Sequence, residues 1–338
     1  MRTMDVTRPA PIRVVHRSSV MAALAAALLM AAGCAPRYVI SPPQQIPDLV
    51  LPEPSITRHV VLVSIDGLRP DAIGAFGAPT LQRLMREGSY TLTATTILPS
   101  KTLPSHTSML TGELPDRHGV LWNNVLTAKA DTVELPTIFS VARLRGYRTA
   151  AFFSKSKFHS IQRQGTLDYS QAPGGWFGRW SSDRTVGDVE RHLEAARPNV
   201  LFVHVADPDH AGHRSGWMSA EYGRAVIAAD GAVASVLSAA ERAYGAGSYS
   251  VIVTADHGGH DRDHGSADPR DVTIPWIAWG RGVKSGQLAD ASIRTMDTAS
   301  TVLWLLGLPE PTDWIGTPVL GAFQGRDTGA RATAPAGF

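Results

Sequence analysis

Three short apolar runs in this chain each end in an acidic residue, and that pattern restricts the folds open to it more than any other feature. VVLVSID closes on Asp66. NVLFVHVADPDHAGH runs into Asp207, Asp209, His210 and His213, and SYSVIVTADHGGHDRDHG reaches Asp256, His257, His260 and His264. The runs are rich in β-branched and other apolar residues, as in strands buried on both faces of a sheet, rather than alternating between core and water. Such strands belong to parallel sheets covered by helices, and ligands bind in the crevice at their carboxyl ends. Carboxylates and imidazoles presented there can direct lone pairs at a divalent cation.

The rest of the chain repeats one grammar. PTLQRLMREG reads as a helix ended by Gly88, and LPTIFSVARLRGYRTAAFFS as helix, glycine stop and strand. DRTVGDVERHLEAARPNVLFVHVAD has the same form, punctuated by Pro198. SAEYGRAVIAADGAVASVLSAAERAYG is a long amphipathic helix, DVTIPWIAWG a short strand, and MDTASTVLWLLGLP a last helix stopped by Gly307 and Pro309. This alternation predicts an α/β three-layer sandwich with a mainly parallel central sheet, one domain over 58–320. The proline-rich stretch 35–57 reads as a tether, and the Ala/Gly/Thr-rich tail 321–338 as frayed. Segment 154–184 breaks the rhythm; it is polar, carries Trp176 and Trp180, and reads as a small insertion over the crevice.

The 338 residues carry a formal charge of +2. Arg2, Arg8, Arg13 and Arg17 against Asp5 put +3 of it ahead of residue 34, leaving the remainder at −1. Bulk charge therefore indicates no nucleic-acid-binding face. The basic start leads into SSVMAALAAALLMAAGC, about the length of a signal peptide's apolar region and short for a spanning helix. It ends in small residues before Cys34, the only cysteine. That resembles a bacterial lipoprotein signal, with Ala31 at the −3 position where leucine is more usual. The expectation is an exported periplasmic or outer-membrane-anchored protein held to the membrane through lipidated Cys34. A plain secretory signal or uncleaved anchor is the simpler reading, and either way no disulfide can form within one chain.

Each candidate residue has a structural alternative. Asp66 before Gly67 suits a turn as well as a ligand. Asp209 and His213, four apart, can share a helical face and chelate one ion, with Asp207 as the competing carboxylate and His210 pointing away. Asp256 and His257 are neighbours, so a sharp turn must aim both inward, and Gly258 and Gly259 supply the backbone freedom for it. His264 and His260 compete as the next ligand. In TTILPSKTLPSHTSMLTGELPDRHGVLWNN, Lys101 and Thr102 sit among many hydroxyls. Thr102 is either a helix N-cap or a nucleophile activated by a metal, which lowers the pKa of a bound hydroxyl as it does that of water.

With these motifs in place, the chain resembles the nucleotide pyrophosphatase/phosphodiesterase family of the alkaline phosphatase superfamily. VSIDGLRPD, PSKTLPSHTSMLTG, DRHGVLWNN, DPDHAGH and TADHGG occur in the family's order between about His59 and Leu320. The resemblance implies two Zn²⁺ ions per chain, one on Asp66, Asp256 and His257 and also touching Thr102. The second would lie on Asp209, His213 and a later histidine, for which His264 fits. It implies that Thr102 attacks phosphorus to give a phosphothreonine that water then hydrolyses, with Asn123 (or the adjacent Asn124) donating to a non-bridging oxygen. Lys101 is a further catalytic candidate. The implied substrate is a small phosphodiester or nucleotide-like ester, although Leu103 stands where relatives often place an aromatic near a base.

Diesters are expected to be preferred over monoesters, because the nucleophile segment lacks an arginine to hold a dianion. Arg163, Arg179 or Arg184 reaching in from 154–184 would reverse that. A phosphomonoesterase on the same two-metal site is the nearest rival reading. A sulfatase is disfavoured by the missing Cys/Ser-x-Pro-x-Arg motif, and a non-catalytic surface lipoprotein is the alternative of another class.

Overall fold

The computed structural model describes residues 35–42, 55–124, 133–175, 178–288 and 292–325. Cys34 with the signal before it, Trp176, and the tail beyond 325 lie outside the described residues. Within them, nine strands form one mixed sheet. In chain order these are β1 (Arg37–Ile40), β2 (Val60–Ile65), β3 (Ser89–Thr95), β4 (Thr149–Phe152), β5 (Tyr169–Ala172), β6 (Val200–Val205), β7 (Ser250–Thr254), β8 (Thr273–Gly280) and β9 (Gly286–Gln287). Their order across the sheet is β1-β5-β4-β6-β2-β7-β8-β3-β9. From β5 to β7 all neighbours run parallel. Antiparallel pairing begins at β1 on one side and at β8 on the other. Every residue of β2, β4, β6 and β7 is buried, which is why these runs are mostly apolar; the polar exceptions, among them Ser64 and His204, are hydrogen-bonded.

Helices cover both faces. On one face, α1 (Pro79–Glu87), α4 (Ser182–Ala196), α5 (Asp207–Ser215) and α6 (Ala220–Tyr244) pack together. On the other lie α2 (Thr102–Thr111), α3 (Ile138–Leu144) and α7 (Asp297–Leu305). Helix α6 is long and apolar enough to cross a bilayer by length and composition. Its stripe of Val226, Val233, Val236 and Leu237 is instead buried against neighbouring helices, as in a core helix.

Three segments differ from the sequence reading. Arg37–Ile40, inside the stretch read as a tether, is the edge strand β1, with Arg37 opposite Ala172 and Ile40 opposite Tyr169. Segment 154–184 lines the crevice with Lys155, Lys157 and Arg179, and it also joins the sheet. It contributes β5 to it, after a 3₁₀ turn at Ser156–Ser160. The start of the tail is packed: Phe323 is buried, and the Lys284 amide donates to the Ala322 carbonyl at 2.9 Å.

Candidate metal centre and active site

Strand order assembles the site. β2 lies between β6 and β7, with Ile65 opposite Val205 and Ser64 opposite Thr254. Neighbouring strands are about 4.8 Å apart, so Asp66, Asp209 and Asp256, just beyond the three strand ends, emerge into one crevice. Gly67 permits the close approach. Its φ is 71°, and a Cβ there would stand 3.0 Å from the Asp209 Cα. The Gly67 amide donates to Asp256 Oδ1 at 3.1 Å, and the Asp209 amide to the Asp66 carbonyl at 3.1 Å. Gly258 and Gly259 act differently from the sequence expectation. Neither has positive φ; a Cβ on Gly258 would meet the Arg270 carbonyl oxygen at 2.0 Å, and one on Gly259 the Trp217 ring at 2.2 Å. They are needed for space, not for freedom.

Two ligand clusters result, Asp66–Asp256–His257 and Asp209–His213–His264, with the ligand atoms of each within 4.8 Å of one another. The histidines are aimed by their other nitrogen. Nδ1 of His257, His213 and His264 lies 2.8, 2.9 and 2.8 Å from the carbonyl oxygens of Gly258, Arg262 and Ser100. A carbonyl only accepts, so Nδ1 carries a proton and Nε2 is the nitrogen turned to the carboxylates, available as a ligand once it is deprotonated. Burial alone would lower the His257 pKa, but Asp256, Asp66 and Asp209 raise it to about 9. Burial pushes His264 down to about 4. His260 takes no part, because its Nδ1 is 2.7 Å from Asp271 Oδ1. Asp207 is likewise spent, accepting from the Ser182 amide at 2.9 Å at the start of α4.

The carboxylates are half satisfied, and the half left over is informative. Asp66 Oδ2 accepts from Lys155 Nζ at 2.6 Å and pairs with His204 Nε2 at 2.9 Å. Asp209 Oδ2 accepts from the same ammonium at 2.5 Å. Burial works against ionisation of both groups, yet Lys155 and the histidines around them hold both carboxyls well below the usual range. Asp66 Oδ1, Asp209 Oδ1 and Asp256 Oδ2, by contrast, are buried with no hydrogen-bond partner. Unpaired buried carboxylate oxygens are costly. The nearest groups to them are imidazole nitrogens, His257 Nε2 at 3.3 Å from Asp66 Oδ1 and Asp256 Oδ2 and His213 Nε2 at 3.3 Å from Asp209 Oδ1, a donor set that fits divalent metal once those nitrogens are deprotonated.

Thr102 opens α2. The N-cap position is Lys101, which makes no side-chain cap bond, so the capping alternative for Thr102 does not apply. Thr102 is buried, and its Oγ1 lies 3.4 Å from His257 Nε2. The other hydroxyls of α2 mostly serve structure, Thr107 and Thr111 donating to carbonyls one turn back. Asn123 Oδ1 accepts from the Leu103 amide at 2.9 Å and from Lys157 Nζ at 3.2 Å. Two donors on Oδ1 fix the amide so that Nδ2 is the group free to donate.

Beside this centre is a cleft of about 470 Å³ lined by Asn123, Asn124, Lys155, Lys157, Arg179, Asp209, His210 and His213, among others. His210 belongs to neither ligand cluster, as expected, and lines the cleft. Lys101 does not line it; its alkyl chain lies against Gly265. Leu103 is core, with no exposed surface. Of the three arginines, Arg179 is in the cleft, Arg163 donates to the Val133 carbonyl, and Arg184 lies over the Trp180 ring and beside Asp188. The cations that sequence reasoning missed are Lys155 and Lys157, in a polar SKSKF run that reads locally as solvated surface.

The fold is that of the alkaline phosphatase superfamily. The family model for type I phosphodiesterase / nucleotide pyrophosphatase matches residues 60–271, and the chain belongs to that family. Among curated relatives, GPI ethanolamine phosphate transferase 1 of Mus musculus is 25% identical over 312 residues, 78% of this chain and 33% of that protein. Ectonucleotide pyrophosphatase/phosphodiesterase family member 1 of Homo sapiens is 23% identical, over 65% of this chain and 26% of its own. Bis(5′-adenosyl)-triphosphatase enpp4 of Xenopus laevis is 26% identical, over 61% and 48%. The chain thus spans less than half the length of these relatives. Murine ectonucleotide pyrophosphatase/phosphodiesterase 5, solved in complex with AMP, shares the fold with a TM-score of 0.63 at 16% identity, covering 75% of this chain and 96% of that one. So does a 2-O GAG sulfatase, with a TM-score of 0.66 at 17% identity over 78% and 73%.

Proposed function

We propose that this protein is a two-zinc phosphoric ester hydrolase of the phosphodiesterase/nucleotide pyrophosphatase kind, with Thr102 as nucleophile. The observation that carries the reading is the set of three orphaned oxygens, on Asp66, Asp209 and Asp256, directed at His257, His213 and His264. Asp66, Asp256 and His257 would hold one ion together with Thr102, and Asp209, His213 and His264 the other. Ligands of imidazole and carboxylate without thiolate suit zinc in an open catalytic site. When bound, the ions supply Lewis-acid charge and make a coordinated hydroxyl acidic.

Thr102 gives up its hydroxyl proton to solvent and Oγ1 forms a bond to phosphorus as the ester oxygen leaves with the electron pair and is protonated from solvent, giving a phosphothreonine. Water cleaves that bond in a second step and restores the hydroxyl. Asn123 donates Nδ2 to a non-bridging oxygen as charge builds there. The substrate class is a small phosphodiester or nucleotide-like ester.

Purified protein is expected to contain two zinc ions per chain, one for each cluster, and to hydrolyse bis-(p-nitrophenyl) phosphate. Asp209→Ala or His213→Ala should leave only the other cluster loaded, read by elemental analysis. A protein that retains no transition metal after gentle purification, and gains no activity from added Zn²⁺, would end this reading. The proposal also places the chain outside the cytoplasm, anchored through lipidated Cys34. Cys34→Ser should move it from the membrane pellet to the soluble fraction; unchanged fractionation would argue against the anchor.

A further inference from the structure

Lys155 and Lys157 are two residues apart on one turn, and both line the cleft, but their charges are used differently. Lys155 is buried between the Asp66 and Asp209 carboxylates. Lys157 has no such partner: among the described residues no carboxylate lies within ion-pair distance of it, and its hydrogen bond goes to a neutral oxygen, Asn123 Oδ1, at 3.2 Å. Burial, reinforced by the neighbouring Lys155 charge, lowers the Lys157 ammonium to about 8. A partly buried cation held without a counter-ion lacks the anion that would stabilise it. Its position beside Asn123 sets that anion next to the oxygens of a phosphoryl group at the metal centre. Arg179, exposed at the rim, is a second cation on the same side.

We propose that Lys157 receives the second negative charge of a dianionic phosphoryl group, so that phosphomonoesters are substrates of the same site. The inference rests on the functional reading above and extends it. It also removes the premise of the diester preference expected from sequence, since the missing cation comes from segment 154–184 and not from the nucleophile segment. A point charge at this position reads charge rather than planar shape, so arginine is expected to replace it only in part.

The test compares p-nitrophenyl phosphate with bis-(p-nitrophenyl) phosphate in zinc-loaded wild type, Lys157→Gln, Lys157→Arg and Arg179→Ala. It also measures the calorimetric affinity of inorganic phosphate and of dimethyl phosphate. A hydrogen bond to a charged group implies that Lys157→Gln lowers the monoester-to-diester ratio of kcat/KM at least about tenfold. The ratio of phosphate to dimethyl phosphate affinity should fall similarly, and Lys157→Arg should recover part of both. An unchanged ratio, equal losses on both esters, or a shift caused by Arg179→Ala in place of Lys157→Gln would overturn the assignment while leaving the hydrolase standing. If neither ester is cleaved but phosphate still binds in a Lys157-dependent way, the hydrolase reading fails and the anion site stands.

Discussion

Thr102→Ala should reduce kcat for ester hydrolysis at least about 10²-fold, roughly 2.7 kcal/mol of barrier, with zinc content and fold retained. The size follows from losing the nucleophile, which leaves only direct attack by water on the bound ester. Retention of the fold follows from what the hydroxyl does otherwise. It caps no helix end, and its nearest partner is His257 Nε2 at 3.4 Å, a long contact. Alanine is also a better helix former than threonine. Thr102→Ser keeps a hydroxyl at the same point and should recover at least about tenfold over alanine. Acid quench of the wild type during turnover should trap a phosphorylated protein that the alanine variant cannot form. If Thr102→Ala turns over at near wild-type kcat, the nucleophile lies elsewhere and Thr102 is part of the packing of α2.

What could be read from sequence divides by range. The buried runs 60–65, 200–205 and 250–254 declare themselves because a strand covered on both faces is apolar at most positions instead of at alternate ones. The acids after them are equally visible. That β2 stands between β6 and β7 is not, since strand order is a non-local property, and it is this order that makes three separate motifs one centre. Two short strands near one edge are hidden for a related reason: RYVI and YSQA are four residues each and partly polar, and they form strands because YSQA pairs with β4 and RYVI then pairs with YSQA.

Lys155 and Lys157 were illegible because nothing within SKSKF shows that the turn folds down into a crevice of carboxylates. His204 was equally hidden, although it fixes Asp66 by accepting from the Ser154 amide at Nδ1 and so donating from Nε2. The Gly258–Gly259 pair shows the limit of reasoning by residue type. Glycine signals either backbone freedom or a shortage of space, and only the neighbouring Arg270 carbonyl and Trp217 ring decide which.

Lys155→Met is expected to destabilise zinc-stripped protein by about 3–5 kcal/mol, the range for removing one partner of a buried ion pair. Methionine approximates the volume of the lysine stem, so the loss is of charge rather than of packing. Without the ammonium, Asp66 and Asp209 would face each other inside the protein with only imidazoles, those of His204, His257, His213 and His264, near their Oδ atoms. The sign of the pH dependence follows from the depressed pKa of both carboxyls in the folded protein. Their contribution is complete above the unfolded value of about 4 and is lost as pH falls through the lower folded values. In the variant the depression by Lys155 is gone and burial favours the protonated form, so acidification from neutrality should relieve the strain. The stability gap between wild type and variant is therefore widest near pH 7 and narrows toward pH 4. Bound zinc would offer positive charge from the Oδ1 side, so adding Zn²⁺ should raise the melting temperature of the variant more than that of the wild type. Chelated melts that coincide at pH 7 would show that Lys155 does not balance this pair, and that the site's charge is compensated from elsewhere.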